Sequence, residues 1–286
     1  MKQMKKTFLL PVLIFSFLFS SVLNSSISNA AGQVIKGKKG WLFYRANGDG
    51  TTIPDYQGIN HYSAMGLRRV EKNLLAAEKA VNRKGAGFIV YLVPNKETIY
   101  AQYMPKSIKR KTTYTRLDQL YEYLETNTDL TVGYPKRELL KERNNYELYY
   151  PTDTHWNSQG EYIAAQNLMD LTDGTKNSIH NVRFRSEKKY LGDLCGLSNG
   201  KYHYYVNRYI FNSKVKAADK SNKKIFFVGD SYIHRLSLIS RRFYKKVRFC
   251  HINQFRISMV HKGEIVVWGA AERYQDKFTR INFSKR

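Results

Sequence analysis

The chain has 286 residues, enough for one large domain or two small ones, and its 42% hydrophobic and 14% aromatic content excludes the disordered and collagen-like classes. Lysine and arginine outnumber the acids 48 to 23, a formal net charge of +25. Such an excess favours an anionic neighbour: an acidic polysaccharide, a teichoic-acid-like polymer or membrane headgroups. The two cysteines, Cys195 and Cys250, lack metal-ligand spacing and cannot staple a fold of this size; a bridge between them stays open.

Lys2, Lys5 and Lys6 precede an apolar run from Phe8 to Leu23, and Ser28-Asn29-Ala30 places small residues where a signal peptidase reads them. The pattern predicts an export signal over residues 1–30, cleaved after Ala30, and a catalytic domain over 31–286. An uncleaved anchor is the alternative, although the run falls short of the ~20 residues of a spanning helix. Either way the body lies outside the cytoplasm, secreted or in the cell envelope. That placement argues against nucleic acid as the partner of the basic charge and leaves peripheral membrane contact open. Lysines and arginines also cluster at 106–111, 214–224 and 241–248, which favours a collective role for them.

Lys39 to Tyr44 reads as a turn feeding a short apolar strand. From Ser63 to Lys84 the spacing of Val70, Leu74, Ala77 and Val81 predicts a helix stopped by Gly85. A buried strand, Phe88 to Val93, ends at Pro94, and Leu117, Leu120, Tyr121 and Leu124 mark a second amphipathic helix. A short segment at 130–132 and a helix at 137–143 lead to an extended stretch, Leu148 to Pro151. The helix from about Asn157 to Leu171 is expected to start in a capping box of Ser158 and Glu161. Residues 182–190 and 202–211 read as strands. The strand Ile225 to Val228, the helix Tyr232 to Tyr244, the strands 247–252 and 264–268 and a last helical segment at 272–278 complete the chain. Short, wholly apolar strands separated by helices imply a parallel sheet covered on both faces, an α/β fold.

Two segments carry chemistry. In Gly229-Asp230-Ser231 an apolar strand ends in a glycine turn, and a serine opens a helix whose free amides suit an oxyanion. Alone, such a serine is more often an ordinary helix cap. In Tyr150 to Trp156, an extended backbone projects Asp153 and His155 to one side, where the carboxylate accepts from one ring nitrogen and the other is left for a serine proton. As an isolated segment, this is equally a satisfied polar pair at a strand end. None of the six other histidines has a carboxylate so placed.

Together these blocks resemble the SGNH hydrolase superfamily, and within it the alginate O-acetyltransferase-like, DHHW-type branch of exported proteins. The serine block follows the Asp/His block here, the reverse of common SGNH enzymes and the order of that circularly permuted branch. Gly40-Trp41-Leu42-Phe43, Val93-Pro94-Asn95-Lys96 with Tyr100, and Glu272-Arg273 are similar to its other segments. The resemblance implies a three-layer, flavodoxin-like sandwich with a mainly parallel central sheet. It implies an O-acetyltransferase in which Ser231 is the nucleophile, His155 the base and Asp153 its orienting partner, with no metal or organic cofactor. An anionic or neutral polysaccharide would be the acceptor, and a multi-pass membrane acyltransferase the source of acetyl groups.

A carbohydrate acetyl esterase using the same triad and a non-catalytic binder of an anionic polymer are the competing readings. The Ser231 amide is the expected oxyanion donor, joined by Asn253, because the family's glycine and asparagine donors have no clean match. Trp156 is expected either to stack on a sugar face or to pack beneath the triad. Lys96 and Arg273 are expected either to meet an acidic acceptor or to orient the active-site loops, and Tyr232 is placed on the acceptor side by adjacency. Long-chain members of the family add a carbohydrate-binding module after the catalytic domain. With the sequence ending at residue 286, acceptor binding is expected to rely on the basic, tyrosine-rich surface or on a partner.

Overall fold

A computed structural model describes residues 33–45, 51–173, 182–216, 219–279 and 281. The expected export signal and its cleavage point lie outside the described residues. No described helix is long and apolar enough to cross a membrane.

The described chain opens with an antiparallel hairpin, β1 (Val34–Lys36) and β2 (Leu42–Tyr44), followed by α1 (Thr52–Gln57) and α2 (Ala64–Asn82). Ser63 caps α2 by accepting from Gly66 N at 3.1 Å, and Gly85 takes the left-handed backbone that ends it. Next come β3 (Gly87–Val93), the single turn α3 (Lys96–Ile99) and α4 (Arg116–Asn127), whose start is a reciprocal capping box between Thr115 and Asp118. Then follow β4 (Thr131–Gly133), α5 (Lys136–Glu142) and α6 (Ser158–Asp173). A hairpin of β5 (Phe184–Tyr190) and β6 (Val206–Phe211) encloses α7 (Asp193–Leu197). The chain closes with β7 (Ser221–Gly229), α8 (Ser231–Ser240), β8 (Tyr244–His251), β9 (Glu264–Ala271) and α9 (Asp276–Thr279).

Five strands make one parallel sheet in the order β4-β3-β9-β7-β8. The inner stretches of its central strands, Phe88 to Val93, Ile225 to Val228 and Ile265 to Ala271, are apolar because both faces are covered. Ile89, Tyr91, Phe227 and Val267 face a core with Ala164, Leu168, Ile233 and Leu236 of α6 and α8. Their sequence neighbours Phe88, Val90, Phe226 and Val266 face a second core with Val70, Leu74, Leu117 and Leu120 of α2 and α4. The period-2 alternation of a strand thus divides one apolar run between two layers of helices. This is the α/β sandwich with a parallel sheet that the sequence predicts.

Two local expectations are corrected, the cap of α6 and the end of the helix after Ser231. Asn157, not Ser158, caps α6: its Oδ1 accepts from Gln159 N at 2.9 Å and Gly160 N at 3.3 Å, and Glu161 turns to Arg235 instead. The helix after Ser231 ends at Ser240, since Tyr244 already belongs to β8. The strands near 184 and 206 pair only with each other and stand outside the main sheet. Cys195 and Cys250 are both free thiols.

Candidate active site

The carboxyl ends of β3, β9 and β7 lie side by side, with Tyr91 beside Gly269 and Gly229 also beside Gly269. The segments that leave them, Asn95-Lys96, Glu272-Arg273 and Asp230-Ser231, are therefore gathered at one edge, where parallel α/β sheets hold their ligands. Glycine is required at that edge. A Cβ on Gly229 would stand 2.5 Å from both Gly269 O and Ile233 Cβ, and one on Gly269 would stand 2.4 Å from Tyr91 O. With no side chain at either place, α8 settles directly on the sheet and its first residue reaches the rim.

Asp230, not Ser231, is the cap of α8. Its Oδ1 accepts from Tyr232 N at 3.0 Å and Ile233 N at 3.3 Å, and its Oδ2 accepts from Ala271 N at 2.8 Å. One carboxylate thus ties the helix to the end of β9 and frees the serine from capping. Ser231 is exposed, and its Oγ lies 2.7 Å from His155 Nε2.

His155 does not come from an extended segment. Tyr149 pairs with Trp156 in an antiparallel bridge, and Asn157 N donates to Leu148 O at 2.9 Å, so residues 151–155 form a tight turn. Alternation therefore does not place Asp153 beside His155. Asp153 bends back on its own backbone: Oδ1 accepts from His155 N at 2.8 Å and meets His155 Nδ1 at 2.7 Å, an Asx-type turn that fixes backbone and ring with one oxygen. Its Oδ2 accepts from Tyr190 Oη at 2.6 Å and Asp193 N at 3.0 Å.

Burial to 2% exposure pushes the Asp153 carboxyl upward, but the hydrogen bond and charge of His155, the Tyr190 hydroxyl and the Asp193 amide outweigh it and hold the group well below the usual carboxylate range. An ionised carboxylate only accepts, so Nδ1 carries the imidazole proton and Nε2 faces the Ser231 hydroxyl as acceptor. Asp153, His155 and Asp193 also lie close enough together to hold a cation. Their oxygens are already engaged, however: Asp193 accepts from Thr154 N at 2.8 Å and Thr154 Oγ1 at 2.7 Å. The donor set is that of a hydrogen-bonded relay.

The turn is held from below. Lys96 is 1% exposed, and its Nζ donates to the carbonyls of Tyr150, Pro151 and Asp153 at 3.1, 3.2 and 2.6 Å. Burial lowers its ammonium to about 8, against the pull of Glu97 and Asp153. Tyr232 is fully buried, its hydroxyl donating to Thr154 O and accepting from Arg273 Nη1 at 3.4 Å. Arg273 lies over the rings of Tyr44, Tyr232 and Tyr274. Trp156 is buried edge-to-face against Tyr232 at 5.3 Å.

Of the two placements expected for Lys96, Arg273 and Trp156, burial favours the supporting one, and Tyr232, expected on the acceptor side, is buried beneath the relay instead. Lys96 and Arg273 orient loops, and Trp156 and Tyr232 pack beneath the relay, because the carboxyl edge of the sheet is covered by the turn that carries His155. Replacing Lys96 with methionine keeps the volume but strands a buried carbonyl and removes one of the two cations, Lys96 and Arg273, whose charge acts on buried Glu97. Chemical denaturation should show a loss of about 2–4 kcal/mol; an unchanged midpoint would contradict this role.

Tyr190, Asp193, Thr154 and Arg235 are site residues that sequence reasoning missed. Tyr190 and Asp193 flank the Leu191-Gly192 link between β5 and α7, about 40 residues from their partner, and no spacing rule connects them to it. Arg235, one turn along α8 from Ser231, pairs with Glu161 at 3.5 Å. Asn253 is exposed in the turn after β8, its backbone N–H directed to His251 Nδ1 at 3.3 Å.

Residues 34–236 match the family model described as SGNH hydrolase-like domain, acetyltransferase AlgX, a span that contains Asp153, His155 and Ser231. The chain is similar to the O-acetyltransferase domain of Pseudomonas putida AlgJ, with a TM-score of 0.57 and 17% identity over 88% of this chain and 95% of that one. It is similar to Pseudomonas aeruginosa AlgX, with a TM-score of 0.57 and 16% identity over 86% of this chain and 65% of that one. A DHHW family protein from Eubacterium siraeum aligns with a TM-score of 0.55 and 14% identity, covering 87% and 98% of the two chains. At these identities the three structures show the shared fold. No curated protein matches the sequence.

Proposed function

Because this chain belongs to the family of SGNH hydrolase-like domains of the acetyltransferase AlgX type, we propose that it is an exported serine-dependent O-acetyltransferase acting on a secreted or cell-surface polysaccharide. The observation that carries the reading is the unbroken relay of two 2.7 Å contacts, Asp153 Oδ1 to His155 Nδ1 and His155 Nε2 to Ser231 Oγ. In this reading residues 31–286 are the catalytic domain, and residues 1–30 direct export.

The chemistry follows from the relay. His155 Nε2 takes the Ser231 proton as Oγ attacks the acetyl carbonyl of the donor, and Asp153 stabilises the imidazolium. The amides of Tyr232 and Ile233 are spent on Asp230, so the Ser231 N–H is the donor left at the helix start for the oxyanion. Asn253 joins it from the turn after β8, whose preceding residue Ile252 bonds Gly229 O at 3.0 Å. Collapse of the intermediate returns the proton from His155 to the leaving group and leaves acetyl-Ser231. A sugar hydroxyl, deprotonated by His155, then takes the acetyl group. A multi-pass membrane acyltransferase is the proposed donor in the cell.

The exposure of Ser231 also admits water, which favours a competing carbohydrate esterase reaction through the same acyl-enzyme. Incubation with an aryl acetate, quenching and peptide mass spectrometry should find one acetyl group on the Ser231 peptide. Adding a bare polysaccharide fragment should then move acetyl to the fragment faster than free acetate appears. Acetate release alone would assign the esterase, and consumption of the donor with no acetyl-Ser231 would overturn both readings.

A further inference from the structure

The basic charge has a focus far from Ser231. At the amino-terminal edge of the sheet, where β7, β8 and β9 begin, a cavity of about 480 Å³ is lined by Lys224, Lys245, Lys246, Lys262, Arg248 and Glu264, among others. The four lysines are exposed. Among the described residues no carboxylate pairs with Lys224, Lys246 or Lys262. The one acid is already neutralised: Glu264 accepts from Arg248 Nε and Nη2, both at 2.7 Å, and from His261 N at 2.9 Å.

Strand register makes this concentration of charge a property of the fold. Lys224 of β7 lies directly beside Lys246 of β8, on strands roughly 4.8 Å apart, so the two ammonium groups leave the sheet as a like-charged cross-strand pair. Lys224 neighbours Glu264 on its other side, but that carboxylate is committed to Arg248. Two lysines held side by side over a hollow repel each other until an anion sits between them.

The side chains also select the anion. Planar carboxylates are best matched by a free bidentate guanidinium, and the Arg248 fork is occupied by Glu264. The groups left are ammonium point charges on flexible stems, which suit the tetrahedral oxygens of phosphate. A lipid surface is disfavoured, since the site is concave and none of the exposed large apolar side chains of the described residues lines it.

We infer that this groove, roughly 20 Å from Ser231 along β7, is a second binding site that takes a phosphate-bearing polyanion and holds the protein to it. The inference is independent of the proposed acyl transfer, because none of these side chains touches the relay. It concerns where the protein resides rather than what it acetylates.

Inorganic tripolyphosphate is the probe, titrated calorimetrically into the full mature chain, with citrate as the carboxylate comparison. The parent should bind tripolyphosphate more tightly than citrate. A Lys224→Ala/Lys246→Ala variant should weaken tripolyphosphate binding about tenfold or more, with hydrolysis of an aryl acetate unchanged. A Lys106→Ala/Lys109→Ala variant removes equal charge elsewhere and should bind like the parent. Thermal unfolding controls for folding: tripolyphosphate should raise the midpoint of the parent and not of the Lys224/Lys246 variant. If the Lys224/Lys246 variant does not fold, Lys262→Glu, in the turn before β9, should show the same loss. No binding by the parent, tighter binding of citrate, or equal losses in the two double variants would each overturn the inference.

Discussion

Ser231→Ala should lower kcat for an aryl acetate by about 10,000-fold, with KM little changed and the thermal unfolding midpoint unaltered. The size of the effect follows from what is removed. In the proposed mechanism Oγ forms the acyl-enzyme, and without it the reaction is left to water activated by His155. The fold should not respond, because Ser231 is exposed and the cap of α8 is supplied by Asp230. The hydroxyl contributes one contact, to His155 Nε2. Rates are to be compared on protein of equal purity by release of the aryl leaving group. A parent-like rate in this variant would remove the transferase and esterase readings together and leave a polymer-binding protein.

Asp153→Asn should cost about 1,000- to 10,000-fold in kcat. Four donors converge on this carboxylate: His155 N and the His155 ring at Oδ1, Tyr190 Oη and Asp193 N at Oδ2. An asparagine offers one oxygen and one NH₂. If the oxygen stays with His155, the NH₂ meets the Asp193 amide, donor against donor. If it turns, the imidazole loses its acceptor and its proton is free to move to Nε2, where it blocks the serine.

The same substitution has a pH signature. The folded-state value of Asp153 lies below its unfolded value of about 3.9, so its ionised form contributes stability that is fully present above that pH and is lost as pH falls toward the folded value. Denaturation midpoints measured from neutral pH downward should therefore fall less steeply for Asp153→Asn than for the parent. An identical acid limb in the two proteins would mean that the carboxylate is not held in its charged form by the fold.

The main elements were legible because local periodicity and burial coincide in them. Phe88 to Val93 and Ile225 to Val228 are apolar throughout since each strand serves two cores, and the stripes of α2 and α4 each face one. The elements without such a pattern are short or irregular. The helices α1, α3 and α7 have six, four and five residues, too few turns for a pattern. The placement of His155 was anticipated on the wrong ground: an alternating strand was expected, whereas a turn folded around the Asp153 side chain supplies the geometry. For Lys96 the residue type left two roles open, an acceptor contact or a loop support. Only its three carbonyl partners, contributed by residues 54 to 57 positions later, make it a buried strut.

By itself the sequence determined the alternation of apolar strands and amphipathic helices, the two blocks that hold Asp153, His155 and Ser231, and the basic charge. These depend on residue type and short-range spacing, which a linear chain displays in full. The tertiary structure alone decided that Asp230 rather than Ser231 caps the helix, that Tyr190 and Asp193 complete the carboxylate's shell, that Lys96, Trp156, Tyr232 and Arg273 support the relay from beneath, and that Lys224 and Lys246 share a groove. Each of those outcomes is set by strand register and by the convergence of distant segments on one edge of a sheet, and neither is encoded in the spacing of any single stretch of chain.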